Sequence, residues 1–181
     1  MKKITVLAAL LSAAFVSSAI AHDGTITFMG KVVAQTCSVA TGANGNLTVT
    51  LPTVAAQSLA TPAATTGLTP FSINLTGCAS GINGATQVKA FFEPGADTDF
   101  DTNNLKNNQV GGASNVQIQL LNSDGASTIL LGKDAAGQDV QAETIGAGGD
   151  ATLRYMAQYY ATGAATAGDV KATVNYTIAY E

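Results

Sequence analysis

Along most of this chain hydrophobic and polar residues alternate one for one. Val116, Ile118 and Leu120 are interleaved with Gln117 and Gln119, and an Asn122-Ser123-Asp124-Gly125 turn then leads into residues 127–131. Leu153, Tyr155, Ala157 and Tyr159 alternate with Thr152, Arg154, Met156 and Gln158. Towards the end Val170, Ala172, Val174, Tyr176, Ile178 and Tyr180 alternate with Lys171, Thr173, Asn175, Thr177, Ala179 and Glu181. Residues 47–51, 71–75 and 88–92 are shorter stretches of the same kind. A period of two puts neighbouring side chains on opposite faces of a strand, so each stretch predicts a strand buried on one side. Gly, Asn, Asp and Pro clusters separate them, as turns require. Helical spacing is nowhere sustained, and the one short turn predicted is over residues 54–59, after Pro52. The pattern predicts an all-β fold, a sandwich of immunoglobulin-like type.

Two stretches sit awkwardly in a self-contained sandwich. Over residues 24–33, Gly24, Ile26, Phe28, Gly30 and Val32 fall on one face and Thr25, Thr27, Met29 and Lys31 on the other. This segment precedes Cys37, so it is tethered beside the domain and can either pair within its own sheet or lie outside it. The last predicted strand runs to Glu181 with an apolar face and no following residues to cover its edge. Exposed apolar edges invite association, and proteins usually blunt them. A spare strand at one end and an uncovered edge at the other suggest that one subunit completes the next.

Composition narrows the picture. The chain has 181 residues, 46% hydrophobic and 11% charged, which suits one domain and excludes a disordered polyelectrolyte. A transmembrane helix needs about 18 or more consecutive apolar residues, and the sequence has no such run. A formal charge of −4 with eight scattered basic residues argues against nucleic acid as a partner.

The start of the chain reads as a signal peptide over residues 1–21. Lys2 and Lys3 precede an apolar stretch from Ile4 to Val16, and Ala19-Ile20-Ala21 offers a cleavage site between Ala21 and His22. Cleavage there leaves 160 residues and, with Lys2 and Lys3 lost, a charge of −6. Export leads to an oxidising compartment, so Cys37 and Cys78, the two cysteines of the chain, are expected to pair. The loop closed is about 42 residues, which the chain-entropy model values at ~4 kcal/mol. That is a large share of the ~5–15 kcal/mol that holds a domain together.

Catalytic readings fare badly. His22 is the single histidine, so neither a Ser/His/Asp triad nor a His-based zinc site can be built. Gly146-Ala147-Gly148-Gly149 does not match the dinucleotide fingerprint, and there is no phosphate loop. Asp97, Asp99 and Asp101 begin like a calcium loop, but Thr102 stands where Gly is needed and Asn108 where Glu is needed. Glu93 with one of these aspartates lacks any spacing that marks a glycosidase pair. Asn46, Asn74 and Asn175 lie in N-x-T sequons but read as strand residues. The expectation is no enzyme, no metal and no cofactor.

Several segments, taken in order, are distinctive. They are Gly24 to Val33 (GTITFMGKVV) leading to Cys37, and Phe71-Ser72-Ile73-Asn74-Leu75 shortly before Cys78. Asn115 to Leu121 (NVQIQLL), Tyr159 to Thr166 (YYATGAAT), and Tyr176, Ile178 and the penultimate Tyr180 follow. In these the chain resembles the major subunits of type 1 fimbriae, the chaperone–usher pilins of Gram-negative bacteria. The resemblance implies an incomplete immunoglobulin-like sandwich that lacks its seventh strand and is completed by a donor strand from another subunit. Residues 22–36 would be the N-terminal donor extension, with Gly24, Ile26, Phe28, Gly30 and Val32 as its inserting face, and residues 37–181 the pilin domain. The C-terminal strand, with Val174, Tyr176, Ile178 and Tyr180, would line the groove and meet the chaperone. Implied partners are identical subunits in a head-to-tail homopolymer, a periplasmic chaperone, an outer-membrane usher and tip subunits. The implied route is export through the periplasm to a surface fimbrium supporting adhesion and biofilm.

Strand addition draws affinity from main-chain hydrogen bonds and register from side chains entering pockets. Gly30 stands where the inserting face calls for a side chain, so the groove is expected to be shallow at that point. A minor or adaptor pilin, or a secreted self-complemented sandwich that acts as an adhesin domain, are the alternative readings. A tip adhesin with a separate receptor-binding domain is not expected, because the spare strand starts directly after the signal.

Overall fold

The computed structural model of the protein describes residues 26–30, 32, 37–79 and 84–181. The chain divides after Lys31 into two units. In the first, residues 26–30 form neither helix nor strand, and Ile26, Phe28 and Met29 are exposed. The signal segment, residues 1–21 with Ala21 at its end, and His22 and Gly24 after it lie outside the described residues.

In the second unit the alternating stretches become antiparallel strands. Among the described residues these are β1 (Ser38–Val39), β2 (Thr65–Thr76), β3 (Gln87–Glu93), β4 (Thr98–Asp99), β5 (Asn104–Lys106), β6 (Val116–Asn122), β7 (Glu143–Thr144), β8 (Ala151–Ala161) and β9 (Asn175–Tyr180). One sheet has the order β1-β2-β8-β6-β5-β4 and the other β7-β3-β9. β2 is longer than the 71–75 stretch alone predicts. It continues past a register shift between Thr66 and Thr69, where Gly67 adopts φ +74° and lets the strand bulge.

Three predicted strands come out differently. Residues 127–131 make one bridge, Leu121 to Thr128, rather than a hairpin strand. The last strand begins at Asn175, not at Val170. Residues 47–51 join no sheet. The turn predicted over 54–59 is a single 3-10 turn, Ala56–Leu59.

The inward residues of both sheets meet in one core. Ile73, Leu75, Leu153, Tyr155, Ala157, Ile118 and Leu120 come from the larger sheet, and Val88, Ala90 and Phe92 from the smaller. Each such large apolar side chain contributes roughly 1.5–3 kcal/mol by leaving water. Phe92 meets Tyr155 edge-on at 5.3 Å between ring centres. Cys37 and Cys78 are joined as a disulfide, which ties the start of the sandwich to the residue just beyond β2. The Cys37 amide also donates to Tyr180 Oη at 2.7 Å, so the end of β9 is held to the same point.

β3 pairs with β7 only at Gln87 and Val88. Beyond that, side chains finish its edge. The Ala90 amide donates to Tyr155 Oη at 3.0 Å and the Phe92 amide to Gln138 Oε1 at 3.1 Å. Gln138 Nε2 in turn donates to the Phe92 carbonyl at 2.6 Å. Gln138 is fully buried and so serves as a one-residue strand for β3. Burial is the main force that pushes the Tyr155 hydroxyl up to about 12, with Glu143 adding to it and the Ala90 amide opposing.

Candidate functional site

A long groove of about 1390 Å³ opens between the two sheets. That exceeds the roughly 300–1,000 Å³ usual for a small-molecule site. One wall is the stretch from Gly45 to Leu51, the other the stretch from Val170 to Ile178. The floor is core: Phe71, Ile73, Phe92, Leu105, Ile118 and Leu120.

Both walls are strand-patterned chain with unpaired backbone on the groove side. Residues 47–54 make no backbone hydrogen bond among the described residues, although Val49 and Leu51 are half-buried towards the groove. On the opposite wall the residues alternate. The Asp169 and Lys171 carbonyls accept from Ala113 and Asn108 amides, and the Lys171 amide donates to Asn107 Oδ1. The Thr173 amide donates to Asp97 Oδ2 at 2.9 Å. Val170 and Ala172, which lie between these, and Val174 beyond them make no backbone hydrogen bond among the described residues, and all three line the groove.

The alternation continues into β9. Gln87 and Glu181 exchange both backbone hydrogen bonds, so the pairs one step further on, Val88 with Tyr180, Ala90 with Ile178 and Phe92 with Tyr176, are the non-bonded ones. The Ala90 and Phe92 amides accordingly point away from β9, to Tyr155 and Gln138. Tyr176 and Ile178 therefore carry free N–H and C=O groups on the open side. Five alternate residues, Val170, Ala172, Val174, Tyr176 and Ile178, thus present both apolar side chains and unpaired backbone to one lane. Tyr180 does not line this groove; its hydroxyl is spent on Cys37.

Tyr176 does more than line the wall. Its side chain crosses the groove and its hydroxyl donates to the Gly45 carbonyl, 2.7 Å away on the far wall. Gly45 holds φ +79°, a left-handed conformation that glycine adopts without strain and that turns its carbonyl towards the tyrosine. Burial raises the titration of the Tyr176 hydroxyl, which keeps it protonated and able to donate.

The aspartates that resembled a calcium loop are committed to turn and wall. Asp97 Oδ2 accepts from Thr173 and from Asn108 Nδ2 at 2.6 Å. Asp99 accepts from the Asp101 and Thr102 amides and from Gln117 Nε2. Burial raises its pKa, but bonds from the Thr102 and Asp101 amides and from Gln117 and Thr102 side chains outweigh this and lower it overall. Sequence reasoning missed the Gly45–Leu51 wall and the Asp97 and Asn107 brackets behind the other. The usable signal was already there: two strand patterns with no partner left for them to pair with.

In the N-terminal segment, Ile26, Phe28 and Val32 are 80%, 90% and 99% exposed, and Gly30 has open space on its side-chain side.

The family model for the type-1 fimbrial protein A matches residues 51–181. The chain is 57% identical over 182 residues to the F17 fimbrial protein of Escherichia coli, covering all of both chains. It is 46% identical over 163 residues to the major fimbrial subunit SMF-1 of Stenotrophomonas maltophilia, covering 88% of this chain and 94% of that one. Among solved structures, the antigen and type I fimbria protein of Burkholderia pseudomallei matches with a TM-score of 0.52 at 28% identity, covering 83% of this chain and 91% of that one. The subunit of a chaperone–usher pilus shares the fold with a TM-score of 0.61 at 21% identity, covering 88% and 96%. With a matching family model over most of its length and full-length relatives well above 30% identity, the chain belongs to the type-1 fimbrial protein family.

Proposed function

We propose that this protein is the structural repeat of a fimbrial shaft, and that each copy is completed by residues 24–33 of another copy. A fimbrial subunit is an assembling, structural component of a cell-surface fibre, and relatives whose names are known are fimbrial proteins or major fimbrial subunits. The observation that carries the donor-strand reading is the open lane. Its two walls have strand pattern, apolar side chains and unpaired backbone, but among the described residues no strand lies between them. The same chain carries a ten-residue alternating segment that reaches about 33 Å when extended, against about 30 Å for the nine residues of the 170–178 wall.

Ile26, Phe28 and Val32 would enter between core side chains while the donor backbone bonds to both walls. Cys37 and Cys78 staple a domain that lacks one strand of its core. The contact is head-to-tail and does not close on itself, so it propagates a fibre. Until a donor arrives, the apolar lane needs cover. A periplasmic chaperone that lends a strand to β9, and an outer-membrane usher that exchanges it, supply that cover in this reading, with tip subunits starting the fibre. The route begins with removal of residues 1–21 between Ala21 and His22. The role is structural, and no catalytic residue, metal or cofactor is proposed.

Deleting residues 24–33 tests this directly. The expected result is a subunit that is still exported and present at the wild-type level with its chaperone, yet yields no surface fibres by electron microscopy. Normal fibres from the deletion would overturn the reading, and loss of the subunit itself would place the segment inside its own domain.

A further inference from the structure

We propose that Asp97 and Asn107 are positioning residues of the open lane. At the open end of the β4–β5 hairpin they form a splint that holds residues 169–174 extended, so that this wall is strand-like before any strand arrives. The proposal rests on the donor-strand reading and adds to it the device that readies one wall.

Residues 169–174 belong to no sheet, yet every second one is tied. The Asp169 carbonyl accepts from the Ala113 amide at 2.9 Å and from Asn107 Nδ2 at 3.1 Å. The Lys171 amide donates to Asn107 Oδ1 at 2.9 Å, and its carbonyl accepts from the Asn108 amide at 2.8 Å. The Thr173 amide donates to Asp97 Oδ2 at 2.9 Å. Val170, Ala172 and Val174 make no backbone hydrogen bond among the described residues, and their side chains pack against the core. Bonds at alternate residues are what one edge of a strand makes with a neighbouring strand. Here a loop and two side chains stand in for that neighbour.

The splint is itself braced. Asp97 immediately precedes β4 and Asn107 immediately follows β5, so both sit where this hairpin leaves the edge of the larger sheet. The Asp97 carbonyl accepts from the Lys106 amide at 2.7 Å, and Asp97 Oδ2 accepts from Asn108 Nδ2 as well. Asn107 Nδ2 also donates to the Ala113 carbonyl, and its Oδ1 also accepts from the Gln109 amide. Each side chain that holds the wall is thus held in turn. The approach to the wall, Gly163 to Gly168, is rich in glycine and alanine and brings little stiffness of its own. An incoming strand that had to order the wall as well would lose affinity, roughly tenfold for each residue it had to fix.

Amide hydrogen exchange on fibres of the full exported chain, read residue by residue, tests the splint. In wild-type fibres the Lys171 and Thr173 amides should exchange slowly because of the splint. The Val170, Ala172 and Val174 amides should exchange slowly because of the donor. Fast exchange at Val170, Ala172 and Val174 removes the donor strand itself, whereas fast exchange at Lys171 and Thr173 alone removes only the splint.

Asp97→Ala should speed exchange at Thr173 and also, about tenfold, at Ala172 and Val174, which make no bond to Asp97. Asp97→Asn keeps an oxygen for the Thr173 amide and should exchange as the wild type does. A change confined to Thr173, or equal damage from Asp97→Asn, overturns the proposal. Where Asp97→Ala prevents fibres or lowers the subunit level, Asn108→Ala decides, since it removes only the brace on Asp97 Oδ2. It should speed exchange at Ala172 and Val174 about threefold, and wild-type rates there overturn the splint.

Discussion

β3 and β9 are neighbours in one sheet, and their outer edges are finished in opposite ways. Away from β9, β3 meets a two-residue strand and then borrowed side chains: Tyr155 for the Ala90 amide and Gln138 for both groups of Phe92. Away from β3, β9 and the stretch before it meet nothing on the groove side among the described residues. Both edges are apolar, with Ala90 and Phe92 on one and Tyr176 and Ile178 on the other, so hydrophobicity does not distinguish them. Satisfaction of the backbone does. An edge that the chain intends to keep is closed with its own polar atoms, because a buried unpaired amide costs about 1–3 kcal/mol. The edge along Val170 to Ile178 has no such closure among the described residues, which is what the proposed donor strand would supply.

Removing Tyr176–Glu181 tests the open edge most severely. It deletes the free groups of Tyr176 and Ile178 and also takes away the partners of β3 from Val88 to Phe92. The expected outcome is complete loss of chaperone co-purification and of fibres; retention of chaperone at the wild-type level would mean that the open edge is not the contact.

Gln138→Ala attacks the closed edge. It strands the amide and carbonyl of Phe92 in the core, and the expected loss is about 3 kcal/mol in chemical denaturation of the assembled subunit. A loss below about 1 kcal/mol would show that β3 needs no such closure.

Tyr155→Phe is the mildest of the three. It leaves only the Ala90 amide without an acceptor, for about 1–2 kcal/mol near neutral pH. It also has a pH signature. Folded Tyr155 keeps its proton to about 12, against an ordinary value of 10 in the unfolded chain. Between those values the unfolded chain binds fewer protons, so unfolding becomes easier as pH rises. The stabilisation is complete below pH 10 and is lost on the way to about 12, at up to ~1.4 kcal/mol per pH unit. Melting curves from pH 9 to 12 should therefore fall more steeply for the wild type than for Tyr155→Phe, and parallel curves would remove Tyr155 as the cause.

Period-two alternation made most of the sandwich legible. Val116 to Leu120 and Leu153 to Tyr159 fall within β6 and β8, and residues 71–75 and 88–92 within β2 and β3. Alternation reports which face of a segment is buried, not whether its backbone has a partner. Leu47, Val49 and Leu51 therefore read as a strand, and so do Val170, Ala172 and Val174, yet neither trio joins a ladder. Those two failures flank the same groove, so the misreading marks where a strand is missing. Gln138 gave no warning, since an amide in a Gly- and Asp-rich stretch looks like any loop residue until Phe92 is placed beside it. That Tyr176 would line a groove came from the resemblance to the fimbrial family, and the alternation gave only the strand it sits on. Its reach to Gly45 depends on a left-handed turn 131 residues earlier, which no local pattern encodes.

The disulfide also bears on how such a fibre would carry load. Tension entering a subunit through its N-terminal segment arrives first at Cys37. Immediately downstream are the two-residue strand β1 and the stretch from Leu47 to Leu51, which makes no backbone hydrogen bond among the described residues. Pulled in series, that stretch would peel away residue by residue and release whatever lay in the lane. The bond to Cys78 offers the force another path, straight to the end of β2, whose ladder with β8 extends from Leu75 to Thr65. In such a fibre the load would then be shared in shear across many hydrogen bonds of that ladder at once. The bridge would thus act as a mechanical bypass around the stretch between Cys37 and Leu51.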